Sequence, residues 1–418
     1  MRRFLFFSHL FLMAMQNFFE TYFQRYPVKP QHIKTLPDKD LQTIVVIPSY
    51  DEPDIRRTLK SLLNCFPTVF PVEIIVVINA KENTQEKILA QNRKTISQIQ
   101  EIQKENLSDK IKIYYLEENN LPKKHAGVGF ARKIGMDEAV RRFFSINNPN
   151  GIIISLDADC LCSKNYLSEI ERFFLKNPKA EGVSIGFEHD IEDEKFSKEC
   201  REAITKYELY MRYYIAAQRF AGFPYAFQTV GSAFAVKVKP YCLEGGMNRK
   251  QAGEDFYFLQ KIIPRGNFFS LNTAKVFPSI RFSSRVPFGT GISLKQMDNN
   301  EYGVYCFDSF LVLKSFFQNN EIQPVMKEFL DKNGYFDALK EMKENSACEK
   351  TFYKRFFVWF DAFRLLKFLN FAHSEFFSKQ SVESQAVKLL EALNIVYDKN
   401  DVSALSLLKK FREIKLDV

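Results

Sequence analysis

The chain has 418 residues, 46% hydrophobic and 26% charged, with a formal net charge of +9 and a pI near 9.0. This balance excludes a disordered or fibrous chain and leaves room for two or three domains, or one large domain with appendages. Seven scattered Cys with no zinc-type Cys/His spacing argue against a disulfide scaffold and fit a reducing compartment. The 43 Phe imply a thick aromatic core, an apolar docking surface, or both. The positive charge could suit anionic partners such as nucleotides, phosphorylated acceptors or acidic lipid, but a Lys-rich proteome is the better account of it.

The first apolar run starts after Met1-Arg2-Arg3 and reaches Met15, broken by Ser8 and His9. A spanning helix needs roughly 20 apolar residues, so this run is too short. It resembles a signal-peptide core, but no small-residue cleavage site follows. A buried or membrane-surface helix is expected, with a start at Met13 or Met15 as the alternative. No other stretch is long and apolar enough for a transmembrane helix, which excludes a channel or synthase-translocator.

Thr43 to Ile47 is continuously apolar, as in a buried parallel strand. Pro48-Ser49-Tyr50-Asp51-Glu52-Pro53 breaks it, and a helix follows with Ile55, Leu59, Leu62 and Leu63 on one face. Glu73 to Ile78 reads as a second strand. Glu82 to Asn106 reads as a polar helix with an Ile88, Leu89, Ile96, Ile99 and Ile102 stripe. Lys112 to Leu116 is a third strand, His125 to Phe144 a helix, and Ile152 to Leu156 a fourth strand. Strands alternating with helices predict βαβ units and a parallel sheet, with ligands bound beyond the carboxyl ends of the strands. Further on, Glu181 to Glu188 is a strand and Phe196 to Phe220 a long Tyr-rich helix. Gln228 to Val238 alternates, Gly253 to Ile263 is a helix, and Phe268 to Val276 a strand. Arg281 to Gly291 reads as a mobile loop. From about Glu301 the chain is helical and aromatic.

Two acidic stretches carry the chemistry. The buried strand runs into Asp157-Ala158-Asp159. In an extended segment the i and i+2 side chains share a side, so Asp157 and Asp159 would converge while Ala158 points away. Carboxylate oxygens suit Mg²⁺ or Mn²⁺, which usually share one or two carboxylates with substrate phosphates. A plain loop cap is the other reading. Glu254-Asp255 opens a helix and supplies a candidate base, although acidic residues in a first turn also simply complement the helix dipole. That dipole would lower the Asp255 pKa. His125 to Lys133 is not a dinucleotide fingerprint, because Arg132 stands where the third Gly belongs. It reads as a helix start with Lys124, Arg132 and Lys133 near a phosphate, or as a solvated basic helix end. Gly231-Ser232 would allow close approach of an acceptor or form a bulge. Arg281 and Arg285 would close over a diphosphate or lie on a surface loop. Phe352 to Phe371, with Lys354, Arg355, Arg364 and Lys367, suits a membrane surface or a core stripe.

Together these residues resemble a family 2 glycosyltransferase of the GT-A fold, over roughly Leu41 to Gly291. Val45 to Glu52 is similar to the motif that cradles the nucleotide base, Asp157-Ala158-Asp159 to the metal motif, and Gly253-Glu254-Asp255 to the motif whose Asp is the base in inverting members. The resemblance implies an α/β GT-A, Rossmann-like, mostly parallel sheet with flanking helices, plus an aromatic-rich helical C-terminal region. It divides the chain into an extension (residues 1–40), a transferase domain (41–291) and a helical region (292–418). It implies Pro48, Tyr50, Glu52 and Asn79 around base and ribose and Asp157 on the ribose or a metal-bound water, with Arg132, from the helix start above, among the nucleotide-sugar contacts. Asp159 and Asp157 would hold Mg²⁺ or Mn²⁺, with Asp255 as base beside Glu254. Asn79 departs from the Asp usual after the second strand, though Asn can still pair with a base edge. The implied reaction moves a sugar from a nucleotide-diphospho-sugar to a hydroxyl of a glycan, lipid-linked or small-molecule acceptor, with inversion, in cell-surface polysaccharide or glycoconjugate synthesis. Nucleic acid is not an expected partner. A cytoplasmic site, with peripheral contact at the inner face of the membrane, fits the reading. The alternatives are a nucleotidyltransferase, which usually has a Gly-rich loop missing from Pro48–Pro53, and a non-catalytic scaffold, against which the intact Asp159 and Asp255 argue.

Overall fold

The computed structural model describes residues 18–280 and 303–414. The chain divides into two compact units, the first from Met1–Asp190 and Thr229–Ser279, the second from Ile191–Gln228 and Ile280–Val418.

The first unit is built on an eight-stranded sheet of order β3-β2-β1-β4-β7-β6-β8-β5. Its strands are β1 (Thr43–Ser49), β2 (Val72–Lys81), β3 (Ile111–Leu121), β4 (Ile152–Ser155), β5 (Leu161–Cys162), β6 (Gly182–Phe187), β7 (Phe234–Lys237) and β8 (Phe268–Phe277). β3, β2, β1 and β4 run parallel, and β7 enters antiparallel between β4 and β6. Every residue of β1 is buried, which is why its stretch from Ile44 to Pro48 is continuously apolar rather than alternating. The fold class expected from the sequence is the one observed.

Helices cover the sheet: α1 (Ile55–Leu63), α2 (Glu86–Glu105), α3 (Val128–Ser145) and α4 (Tyr166–Lys176). α4 and the short β5 have no counterpart in the sequence reading. α3 packs closely because Gly135 has no side chain: a Cβ there would lie 2.5 Å from Val46 Cγ1 and 2.8 Å from Val77 Cγ2. The residues before β1 belong to this unit. Residues 18–25 are helical, and Tyr22 donates to Asp137 Oδ1 at 2.6 Å. Lys133 Nζ lies 2.9 Å from Asp137 and donates to the Tyr22 hydroxyl at 3.0 Å. Met1 to Met15 and the Arg281–Gly291 segment, with Arg281 and Arg285, lie outside the described residues.

In the second unit the long helix α5 (Lys198–Phe220) buries Glu208, which accepts from Arg412 Nε and Nη2 at 2.8 Å each. Phe316, Phe317, Phe356 and Phe360 form an aromatic core with centroids 5.0–6.2 Å apart, Phe317–Phe360 being the nearest pair. Phe356, Phe360 and Phe368 are buried, so much of the Phe352–Phe371 stripe is core. No helix among the described residues is long and apolar enough to cross a membrane.

Candidate functional site

Three chain segments beyond the carboxyl ends of the parallel strands build the site, and α2 braces the first. Asn79, buried near the end of β2, donates through Nδ2 to the Ser49 carbonyl at 2.9 Å, tying β2 to the end of β1. Asn92 on α2 accepts from the Asp51 N–H at 3.1 Å and donates to the Asn79 carbonyl at 3.2 Å. Gln91 Nε2 and Thr95 Oγ1 both donate to the Glu52 carbonyl at 2.8 Å. The Glu52 side chain is buried and accepts from the Asp54 N–H at 3.1 Å. Pro48 is buried and Tyr50 half-buried beside them. The bracing residues Gln91, Asn92 and Thr95 escaped the sequence reading. The buried face of α2 is Asn92, Thr95, Ile99 and Ile102, whereas Ile88, Leu89 and Ile96 are only half-buried. Two polar residues in register with Ile99 and Ile102 were the available signal.

β4 stops at Ser155, so the acidic pair does not lie on an extended strand. Asp157 to Cys160 is a turn, closed by the Cys160 N–H on the Asp157 carbonyl at 3.2 Å. Ala158 is buried and its carbonyl accepts from Thr58 Oγ1 on α1 at 2.7 Å, leaving Asp157 and Asp159 half-buried. Among the described residues no group of three or more His, Cys, Asp and Glu converges to cage a cation. Two hard carboxylates are nevertheless the donor set that suits Mg²⁺ or Mn²⁺ shared with substrate phosphates.

The third segment is α7 (Glu254–Ile262), which follows the short α6 (Val238–Leu243). It starts at Gly253, whose φ of +67° favours glycine. Arg132, buried on α3, joins the two acidic motifs: its guanidinium donates to Asp157 Oδ1 and to Glu254 Oε1. Glycines make the room. A Cβ on Gly231 would lie 2.6 Å from the guanidinium nitrogens of Arg132, and one on Gly129 would lie 2.4 Å from the Lys250 carbonyl and 2.8 Å from Glu254 Cβ. Ser155 Oγ fixes the Gly231 loop by donating to its carbonyl at 2.7 Å. Gly231 thus accommodates Arg132. Lys133 faces the other way, into the buried network with Asp137 and Tyr22, so it does not share a phosphate site with Arg132; Lys124 is exposed.

The charges are strongly coupled. Burial opposes the Arg132 charge, but Asp157, Glu254 and Asp255 outweigh it and hold the guanidinium firmly protonated. Burial raises the carboxyls of Asp255 and Glu254, while Arg132 pulls both back. Burial thus opposes the lowering of the Asp255 carboxyl expected from the helix dipole and outweighs it. A carboxylate with a raised pKa is a better proton acceptor at neutral pH, provided that it stays ionised.

Residues 44–241 match the family model of glycosyl transferase family 2. No curated protein matches the sequence. Similar solved structures include S. aureus TarS 1–349 in complex with UDP-GlcNAc, at 12% identity and TM-score 0.39, covering 86% of this chain and 93% of that one. The same segment in complex with UDP gives 13% identity, TM-score 0.36 and the same 86% and 93% coverage. A further S. aureus TarS structure gives 13% identity and TM-score 0.35, covering 74% of this chain and 50% of that one. The match covers a glycosyl transferase family 2 domain at residues 44–241, and the protein is a glycosyltransferase.

Proposed function

We propose that this family 2 glycosyltransferase moves a sugar from a nucleotide-diphospho-sugar to an acceptor hydroxyl with inversion, and that it requires a divalent cation. The observation that carries the reading is the meeting of Asp157 and Glu254 on Arg132, which brings the two acidic motifs into one site. Pro48, Tyr50, Glu52 and Asn79 line the base and ribose. Asp159 and Asp157 would hold Mg²⁺ or Mn²⁺. A bound cation would neutralise charge developing on the departing diphosphate. Arg132 serves the donor by fixing Asp157 and serves the acceptor by fixing Glu254.

Asp255 takes the proton from the acceptor hydroxyl as its oxygen bonds the anomeric carbon. The bond from that carbon to the diphosphate oxygen breaks on the opposite face. Burial raises the Asp255 carboxyl, which helps the transfer, and the nearby Arg132 charge opposes that rise. The acceptor is a glycan, a lipid-linked intermediate or a small molecule in glycoconjugate synthesis. A cytoplasmic location, with peripheral membrane contact, completes the proposal; the free cysteines support a reducing compartment.

A thermal-shift screen of UDP-, GDP-, CMP- and dTDP-sugars with Mn²⁺ tests the reading, since a ligand of the folded state raises Tm by mass action. One nucleotide sugar should stabilise the protein, and chelation should remove the effect. No stabilisation by any donor would overturn the proposal.

A further inference from the structure

Cys65 and Cys162 are 97 residues apart in sequence, yet their Sγ atoms lie 3.7 Å apart. Cys65 follows α1, and Cys162 sits in β5, paired with Val276 of β8. Ser61 Oγ is 3.4 Å from Cys162 Sγ, and the Cys65 thiol also reaches the Ser61 and Ser163 carbonyls at 3.5 and 3.6 Å. Both cysteines are half-buried, whereas Cys160, Cys200, Cys242 and Cys306 are buried and Cys348 is exposed. The two sulfurs are thus in contact, held by three elements, and within reach of a small oxidant.

We propose that Cys65 and Cys162 form a reversible redox-modification site that closes to a disulfide under a peroxide oxidant. The surroundings assign the roles. Either sulfur can donate in their contact; that contact and the Leu167 and Tyr166 N–H groups that open α4 hold the Cys65 thiol below its usual range, against burial. Contact with Cys65 and burial push the Cys162 thiol up. The Cys65 thiolate attacks one peroxide oxygen, the O–O bond breaks, and the departing hydroxide is protonated to water. The Cys162 sulfur then attacks the resulting sulfenic sulfur; the S–O bond breaks, and hydroxide leaves with the Cys162 proton as a second water. Two thiols lose two electrons in all, and hydrogen peroxide becomes two waters.

Closure would fasten α1 to the chain just past Asp159. α1 already grips this turn through Thr58 Oγ1 on the Ala158 carbonyl. The disulfide therefore acts on the segment that carries Asp157 and Asp159, without using either residue.

The test treats the reduced full chain with stoichiometric hydrogen peroxide, alkylates free thiols, and maps the peptides by mass spectrometry. A linked Cys65–Cys162 peptide is expected, with Tm raised by a few degrees and both changes reversed by dithiothreitol. Cys65→Ser and Cys162→Ser should each abolish the linked peptide and the Tm rise, and Cys348→Ser should keep both. The idea is overturned if Cys65 and Cys162 remain alkylatable after Cys348 has been oxidised. It is equally overturned if Cys65 advances to sulfinic acid while Cys162 stays free. The readout uses no nucleotide, so it is independent of the proposed transfer reaction.

Discussion

Arg132 and Glu254, 122 positions apart in the chain, form a buried ion pair that fixes the start of α7 against α3. The same guanidinium holds Asp157, so one cation balances the acidic motifs that the sequence shows only as separate stretches. Removing it would leave the buried Glu254 carboxylate uncompensated. Arg132→Gln should destabilise the first unit by about 3–5 kcal/mol, the usual cost of breaking a buried pair. Urea unfolding checks this. Stability within 1 kcal/mol of wild type, on the order of an exposed pair, would mean that the bridge does not hold the site.

Asp255→Asn is nearly isosteric but cannot accept the proton. Donor affinity should stay within a few-fold, while single-turnover transfer falls by roughly 10²–10⁴. Near-normal transfer would remove the base assignment, and with it the main reason for proposing inversion.

Burial raises the Asp255 carboxyl, so the acidic limb of kcat/KM should lie above the ordinary carboxylate range. The sign follows from the role: activity falls as pH drops and the base becomes protonated. Arg132 opposes the shift, so any folded Arg132→Gln protein should show its limb at still higher pH. A limb at the ordinary Asp value, in both proteins, would contradict this electrostatic account.

Asp159→Asn should keep the fold and weaken metal-supported nucleotide binding. Calorimetry with and without chelator reads the effect directly. Unchanged affinity in both proteins under both conditions would falsify the metal assignment.

Gly231→Ala would place a Cβ 2.6 Å from the guanidinium nitrogens of Arg132, which its two carboxylates hold in place. Overpacking of this kind costs about 1–3 kcal/mol. Transfer should fall with it, because Asp157 and Glu254 lose their shared partner. An unchanged melting curve and an unchanged rate would show that the loop yields freely.

Much of the first unit was legible in the sequence because burial on both faces makes a parallel strand continuously apolar. Thr43–Ile47, Glu73–Ile78 and Ile152–Leu156 announced β1, β2 and β4 in this way, and the order of Val45–Glu52, Asp157–Asp159 and Glu254–Asp255 pointed to the family. Missed elements include those with weak patterns, such as two-residue β5, short α6, and α4, whose apolar residues lie beside Glu169, Glu171 and Arg172. Polar bracing was equally hidden, because Asn92 and Thr95 occupy a buried helix face that periodicity expects to be apolar. Adjacent Arg132 and Lys133 read alike in sequence, yet about 100° of helix rotation sends one to the acidic motifs and the other to Tyr22 and Asp137. Local patterns determine which segments become strands and helices. Which buried charge meets which partner depends on contacts as distant as Arg132 with Glu254 and Lys133 with Tyr22, and only the packed structure decides that.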